Sequence, residues 1–368
     1  MRIGILLPGF SAHADDWAIP VQQNLARALA ARDDLRIVAL RYPHRRDTYR
    51  IDGTTVHALG AGQVRGFRRI ALWWGALRLI ERLHREAPFD VLHAMWADET
   101  GLVAGWAGRR LGVPVVVSIL GGELVGLRDI GYGLQRGAFS RWIVGQALAG
   151  ADRVVVPGSY VRRLLDSSGY HIPGEKIVTL PLGVDAERFT PADAPLNPKR
   201  LINVASLVPV KDQATLLRAL ALLDADVKLD VVGEGVLRPT LEALARELGI
   251  AGRVRFVGAV AHPDLPASYR QAAIHILTSR HEAGAIAVLE AAACGLPTIS
   301  TDVGMVPDYP SLGVTVPVGD APAVARALQA LLADSPSRSA LGRSARAAAA
   351  GVFHPSPRLR GRGDGGEG

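Results

Sequence analysis

Glu282 and Glu290, with seven residues between them, stand in the stretch of this chain whose residue types are best suited to chemistry. From residue 274 to 304 the pattern reads strand, polar turn, helix, glycine stop at Gly295, strand. Glu282 falls just before the helix, and Ala283, Gly284, Ala285 and Ile286 supply its first amides. Such N–H groups, with the positive end of the helix dipole, suit a phosphate, and the small side chains let it approach the backbone. Glu290, two helical turns on, offers carboxylate oxygens to a vicinal diol such as a ribose. On spacing alone, a capped helix with an acidic first turn and an incidental glutamate accounts for the same residues.

These residues need sheets to hold them. Short β-branched runs at residues 3–7, 37–40, 91–93, 115–119, 154–156 and 177–180 read as strands, with helical segments such as 20–32 and 101–111 between them. Each run is nearly continuous in apolar residues, which predicts a parallel sheet covered on both faces. Residues 190–198 carry three prolines, so the linker is expected over 190–200. The rhythm then restarts, with strands at 201–204, 227–232, 254–257, 274–277, 297–300 and 313–316 and helices such as 213–223 and 236–248. The expected fold class is α/β: two tandem Rossmann-like, doubly wound parallel-sheet domains, residues 1–189 and 201–352, with a cleft between their carboxyl edges. Residues 353–368 have no hydrophobic period and are expected to be disordered.

Composition narrows the function classes. At 368 residues, 49% hydrophobic and 21% charged, the chain supports two sizeable cores and is not a disordered protein. No apolar run reaches the roughly 18–20 residues of a membrane span. The N-terminal apolar stretch gives way to Asp15 and Asp16 and reads as a strand, not a signal peptide. One cysteine, Cys294, excludes an internal disulfide and any cysteine-based zinc cluster. These features predict a cytoplasmic enzyme. The net charge of +7 comes from arginine and suits nucleic acid, an anionic membrane face or phosphorylated small molecules; compositional bias explains it equally well. With no zinc-finger, RNA-binding or Walker motif, nucleic acid is not expected as a partner. Arg65, Arg68 and Arg69 lead into a helical run, 70–83, that contains Trp73 and Trp74. Interleaved basic and apolar residues suit a lipid headgroup boundary, hence a peripheral station at the inner face of the cell membrane; a helix packing its apolar stripe on a sheet is the alternative.

The glutamate pair followed by Ala-Ala-Ala-Cys-Gly-Leu-Pro-Thr-Ile (residues 291–299) resembles the signature of retaining family 4 glycosyltransferases of the GT-B fold. The similarity extends over most of residues 1–350, through 204–212, 231–235 and 256–258, and through 90–93, 151–156, 181–185 and Phe189 in the first half. It implies transfer of a sugar from a nucleotide-diphosphate sugar to a glycan, glycolipid or small-molecule acceptor, with no metal or other cofactor. Residue by residue, the resemblance implies that Lys211 faces the donor diphosphate, Glu282 the transferred sugar and Glu290 the ribose, and that the amides of Gly284, Ala285 and Ile286 hold phosphate. On the acceptor side it implies that the loop with Gly9 and Phe10 approaches the sugar or acceptor. Gly121 and Gly122 would line the cleft, with Glu123 ordering an acceptor hydroxyl or taking its proton. Asp224-Ala225-Asp226 fits a short metal-binding pattern but is read as a turn, as is Gly233-x-Gly235.

Three positions depart from the family. Ser206 stands where an arginine usually accompanies the lysine, and Arg280 is the expected replacement cation. Leu120 stands where a histidine often touches the donor sugar, so no catalytic histidine carries over; His13 and His93 are the substitutes considered, with His93 read instead as a satisfied structural histidine. The reaction is thought to use the leaving phosphate to help deprotonate the acceptor, so loss of the histidine is compatible with transfer. Last, a helix over 342–350 stops at Phe353-His354-Pro355 instead of continuing as the family's closing helix does. These departures motivate one alternative, a catalytically weak nucleotide-sugar-binding protein; a GT-B sugar-nucleotide epimerase is the other, and the order of the family motifs argues against it.

Overall fold

The computed structural model describes residues 1–13, 16, 20–64, 66–192 and 197–353. Arg65, residues 193–196 of the proline-rich segment and the tail from 354 onward lie outside the described residues. The chain forms two compact units: Met1–Pro181 with His281–Gly284, and Leu182–Arg280 with Ala285–Gly368. The division at 181/182 precedes the proline-rich segment.

The first unit runs β1 (Arg2–Gly9), α1 (Pro20–Ala30), β2 (Asp34–Tyr42), β3 (Asp47–Ile51), β4 (Thr54–Ala58), α2 (Phe67–Glu86), β5 (Val91–Met95), α3 (Glu99–Leu111), β6 (Val115–Ser118), α4 (Ala138–Ala149), β7 (Arg153–Val156), α5 (Ser159–Ser167) and β8 (Ile177–Thr179). Its sheet has the order β3-β4-β2-β1-β5-β6-β7-β8. Side chains of β1 alternate between two cores. Ile3, Ile5 and Leu7 join the α1 side, and Leu6 joins the larger cluster under α2, α3 and α4. The β3–β4 hairpin is absent from the sequence expectation. Its outer strand is mostly exposed and polar, so it lacks the apolar run of a covered strand. The signal was the turn: Asp52 and Gly53 both adopt positive φ, 48° and 79°, as a two-residue hairpin loop requires.

The second unit runs β9 (Arg200–Val204), α6 (Gln213–Ala221), β10 (Lys228–Val232), α7 (Arg238–Glu247), β11 (Val254–Gly258), α8 (Leu265–Tyr269), β12 (Ile274–Leu277), α9 (Ile286–Ala293), β13 (Thr298–Thr301), β14 (Gly313–Val316), α10 (Ala321–Ala333) and α11 (Ser335–Gly351). All its strand pairs are parallel, in the order β11-β10-β9-β12-β13-β14. That is the doubly wound order, with its reversal between β9 and β12. One face carries Leu201, Leu229, Val231 and Ile276 against α6, α7 and α10; the other carries Ile202, Val232 and Leu277 against α9 and α11. The last helix is longer than its sequence suggested: α11 begins at Ser335, capped by the Asp334 side chain. Arg346 then fastens it, donating to the carbonyls of Ala186, Phe189 and Ala293.

Candidate active site

Ligands of a doubly wound sheet bind at the carboxyl ends of the strands where the order reverses. In the second unit those ends are the loops after β9 and β12, and they deliver the predicted donor residues. Ser206 is exposed just past β9, and Lys211 closes the 3-10 turn that precedes α6. Arg280 follows β12. The loops are stitched together: Arg280 N donates to Val210 O at 2.8 Å, and Thr278 Oγ1 donates to Asp212 O at 2.9 Å. Asp212 takes a left-handed conformation, φ 45°, and caps α6 by accepting from the amide and hydroxyl of Thr215. The backbone bearing Lys211 is therefore fixed from both sides. The glycines at 233 and 235 serve this loop by close approach. A Cβ on Gly233 would lie 2.0 Å from Ala205 O, and one on Gly235 would lie 2.3 Å from Leu207 O. Asp224-Ala225-Asp226 is the turn between α6 and β10, and Asp226 pairs with Lys199.

The helix that carries Glu290 begins at Ile286, later than the sequence placed it, and Glu282 lies ahead of it. Ala283 and Gly284 form a bend, and no side chain caps the helix at Ala285. No Ser, Thr, Asp or Asn lies between 282 and 285 to start it sooner. Glu282 is 8% exposed and Glu290 is 3% exposed. Glu290 already has two partners: Oε1 lies 2.7 Å from His262 Nε2, and Oε2 accepts from the Tyr269 hydroxyl at 2.9 Å. Sequence reasoning passed over His262 and Tyr269, because only folding brings α8 and the turn before it to α9.

In the first unit, Glu123 is buried and engaged with backbone amides. Its carboxylate accepts from the amides of Leu120 at 3.0 Å and Gly121 at 2.7 Å, with Ala97 N at 3.4 Å, tying the loop after β6 to the loop after β5. Burial outweighs those donors and raises its pKa to about 7. Gly122 lies under the Tyr132 ring, where a Cβ would come within 2.9 Å of ring carbons. Burial, followed by the neighbouring Glu282 and Glu123, holds the Tyr132 phenol above its ordinary range. Trp96 sits beside Gly121 with φ 95°, a strained conformation for a tryptophan. His281 is a residue the sequence did not single out. Its Nε2 lies 2.9 Å from Gly121 O and its Nδ1 3.2 Å from the Tyr160 hydroxyl, which sets the backbone just ahead of Glu282.

Two acceptor-side expectations meet a core. Phe10 is 2% exposed among Ile3, Ile5 and Leu7, and a Cβ on Gly9 would lie 2.8 Å from Tyr42 Cβ. That glycine allows β1 and β2 to close together where their register shifts. His93, within β5, lies 2.8 Å from Ser118 Oγ through Nε2, and burial lowers its pKa to about 4, so it is a neutral sheet histidine.

Two Rossmann-type sheets, the second with polar residues gathered at its switch point, define a doubly wound α/β protein of the two-domain type. Residues 19–183 match the glycosyl transferase 4-like domain, and residues 185–348 match glycosyl transferases group 1. The chain belongs to the group 1 glycosyl transferases, family 4 of the GT-B fold. A D-inositol 3-phosphate glycosyltransferase of Salinispora tropica is 33% identical over 74% of this chain and 62% of that protein. The match to the corresponding Geodermatophilus obscurus enzyme likewise spans 62% of its length, so the chain covers about three-fifths of these relatives. A GDP-mannose-dependent alpha-(1-6)-phosphatidylinositol monomannoside mannosyltransferase of Mycobacterium tuberculosis is 29% identical over 92% of this chain and 86% of its own. Sucrose-phosphate synthase of Thermosynechococcus elongatus shares the fold, with TM-score 0.78 and 21% identity over 96% and 95% of the two chains. Anabaena HepE in complex with UDP-glucose also shares it, with TM-score 0.74 and 17% identity over 96% of each chain.

Proposed function

We propose that this protein is a retaining glycosyltransferase that moves a sugar from a nucleotide-diphosphate sugar to an acceptor in polysaccharide, glycolipid or other glycoconjugate synthesis. The observation that carries this reading is the joining of the Lys211 loop to the segment that leaves β12 at the switch point of the second sheet, where Arg280 N donates to Val210 O and Thr278 Oγ1 to Asp212 O. The family relatives named for glycosyl and mannosyl transfer support it.

In the reaction, the bond from the anomeric carbon to the diphosphate oxygen breaks and a bond to the acceptor oxygen forms on the same face. The acceptor proton passes to the departing phosphate. Lys211, with Arg280 in place of the family arginine, offsets the charge that builds on the leaving group, while Ser206 contributes one hydroxyl donor. The amides of Gly284, Ala285 and Ile286 hold phosphate, Glu282 contacts the sugar, and Glu290 meets the ribose from the fixed orientation that His262 and Tyr269 impose. Glu123 acts by positioning the Gly121–Gly122 loop. No metal is required in this scheme, because fixed cations and amides replace it. The same reading places the protein in the cytoplasm at a membrane face; among the described residues no helix is long and apolar enough to cross one.

The test is incubation with a panel of nucleotide-sugars, with and without acceptors and chelator, following nucleoside diphosphate release. Donor-specific, acceptor-stimulated release that persists with chelator is expected. Binding without release would favour a degenerate, non-catalytic member, the reading motivated by Ser206 and Leu120. Interconversion of free nucleotide-sugars without transfer would favour an epimerase.

A further inference from the structure

The tyrosines of the first unit are Tyr42, Tyr49, Tyr132, Tyr160 and Tyr170, and all but one use their hydroxyls within it. Tyr42 donates to Asp16, Tyr49 to Ser11 O and Tyr170 to Arg141 O, while the Tyr160 hydroxyl lies 3.2 Å from His281 Nδ1. Tyr132 is the exception. It is half-buried, yet no described residue bonds its hydroxyl, which is open to solvent.

The chain fixes this ring from every side. Tyr132 lies in the connection from β6 to α4, at the carboxyl edge of the first sheet. Its backbone exchanges hydrogen bonds with Leu127 at 2.9 Å and 3.0 Å, closing a tight loop. Gly131 and Gly133 flank it with φ 67° and 92°, left-handed values that favour glycine. Leu134 N donates to Gly122 O at 2.8 Å, which folds the tyrosine back over the Gly121–Gly122 backbone. There the ring takes the space that a Cβ on Gly122 would need, and its centre is 5.8 Å from that of the His281 imidazole. The residue after His281 is Glu282, which belongs to the same unit. Burial first, and then the Glu282 carboxylate ahead of Glu123, raise the pKa of the phenol and keep it an O–H donor. Glu123 is engaged by the amides of Leu120 and Gly121. A donor thus stands beside the Glu282 acceptor, and a hydroxyl group satisfies both, because it accepts from the phenol and donates to the carboxylate.

We infer that Tyr132 is a substrate-contacting residue that determines donor specificity: its phenol donates to one hydroxyl of the transferred sugar, and that same hydroxyl donates to Glu282. The inference rests on the transferase reading, which gives Glu282 the sugar. A tyrosine merely solvated at the surface needs neither two left-handed glycines beside it nor a bare glycine beneath its ring. The consequence is selectivity. A donor whose sugar lacks that hydroxyl leaves the phenol and the carboxylate both unpaired, and sites built to bind a hydroxyl reject the analogue without it strongly.

The experiment takes the full chain, the nucleotide-sugar that the parent turns over and the set of its monodeoxy-sugar analogues, with nucleoside diphosphate release as the readout. Tyr132→Phe keeps the ring over Gly122 and beside His281 and removes only the hydroxyl. It is expected to lower kcat/KM about tenfold on the complete donor. At one deoxy position, and there alone, Tyr132→Phe and the parent should agree within about twofold, because the partner hydroxyl is already gone. The effect of Glu282→Ala should shrink at that same position. Unchanged kcat/KM of Tyr132→Phe on the complete donor, an equal loss on every analogue, or coupling to a different sugar position from that of Glu282 would overturn the inference. A parent that releases nothing from any donor counts against the transferase reading, and calorimetric binding then decides the role of Tyr132. Tyr132→Phe should in that case weaken the nucleotide-sugar about tenfold and leave the free nucleoside diphosphate unchanged. Equal weakening of both, or of neither, refutes the sugar contact.

Discussion

Lys211 and Arg280 are the two cations of the proposed donor loops, one after β9 and one after β12, and on that proposal they should fail differently. Lys211→Ala removes the charge opposite the leaving group and is expected to lower kcat about 10²–10³-fold, as loss of a transition-state donor does. Arg280→Ala should chiefly raise the donor KM, by about tenfold or more for a lost charged hydrogen bond. Normal donor affinity in that variant would withdraw the replacement-cation role. Glu123 gives a sharper choice. A proton acceptor at this position would be worth about 10²–10⁴-fold in rate. A carboxylate that only fastens amides of the 120–121 and 97 positions should, on change to Gln, cost about 1–3 kcal/mol in folding stability and less than about tenfold in kcat. Thermal unfolding and steady-state rates on Glu123→Gln decide between them.

At the scale of elements, the second unit depends on how closely α11 approaches the turn after α9. Gly342 faces Gly295 O, and a Cβ there would sit 2.3 Å from that carbonyl. Ala is the better helix former by about 1 kcal/mol, so propensity alone predicts that Gly342→Ala stabilises. The opposing contact is backbone and cannot rotate away, and overpacking of this kind costs about 1–3 kcal/mol. The expected outcome is a net fall in Tm, with a weakened donor site because α9 carries Glu290. An unchanged or raised Tm would mean that α11 shifts without penalty. Arg346, bonded to three carbonyls, makes such a shift costly.

For the whole molecule, buried ionisable groups set the pH range of stability. His275 lies inside β12, and burial lowers its pKa from 6.5 to about 3. The unfolded chain takes up this proton first, so stability rises with pH across that window. It is complete above about pH 6.5 and is lost as pH falls toward 3, by roughly 4 kcal/mol for one such histidine. His275→Asn should flatten the acid limb in urea titrations between pH 4 and 6.5; an unaltered slope would show that the histidine does not govern it. Asp98 and Glu123 act in the opposite sense. Burial raises them to about 6 and about 7, so each contributes stability that declines as pH climbs from about 4 through those values.

Much of the architecture was written locally. Apolar runs of four or five residues specify strands covered on both faces, and they mark β1, β5, β9 and β12 wherever the chain is read. The 282–299 motif and the Lys211 loop likewise carry their family in consecutive residues. Side-chain partnership is a different kind of fact. That Glu290 would meet His262 and Tyr269, that Glu123 would bind amides of two loops, and that Phe10 would enter a core were decided by which strand ends the crossovers bring together. The same holds for Trp73 and Trp74, neighbours in sequence with equal hydropathy. A helix turns about 100° per residue, so only the position of the sheet under α2 determines which ring is buried and which meets solvent.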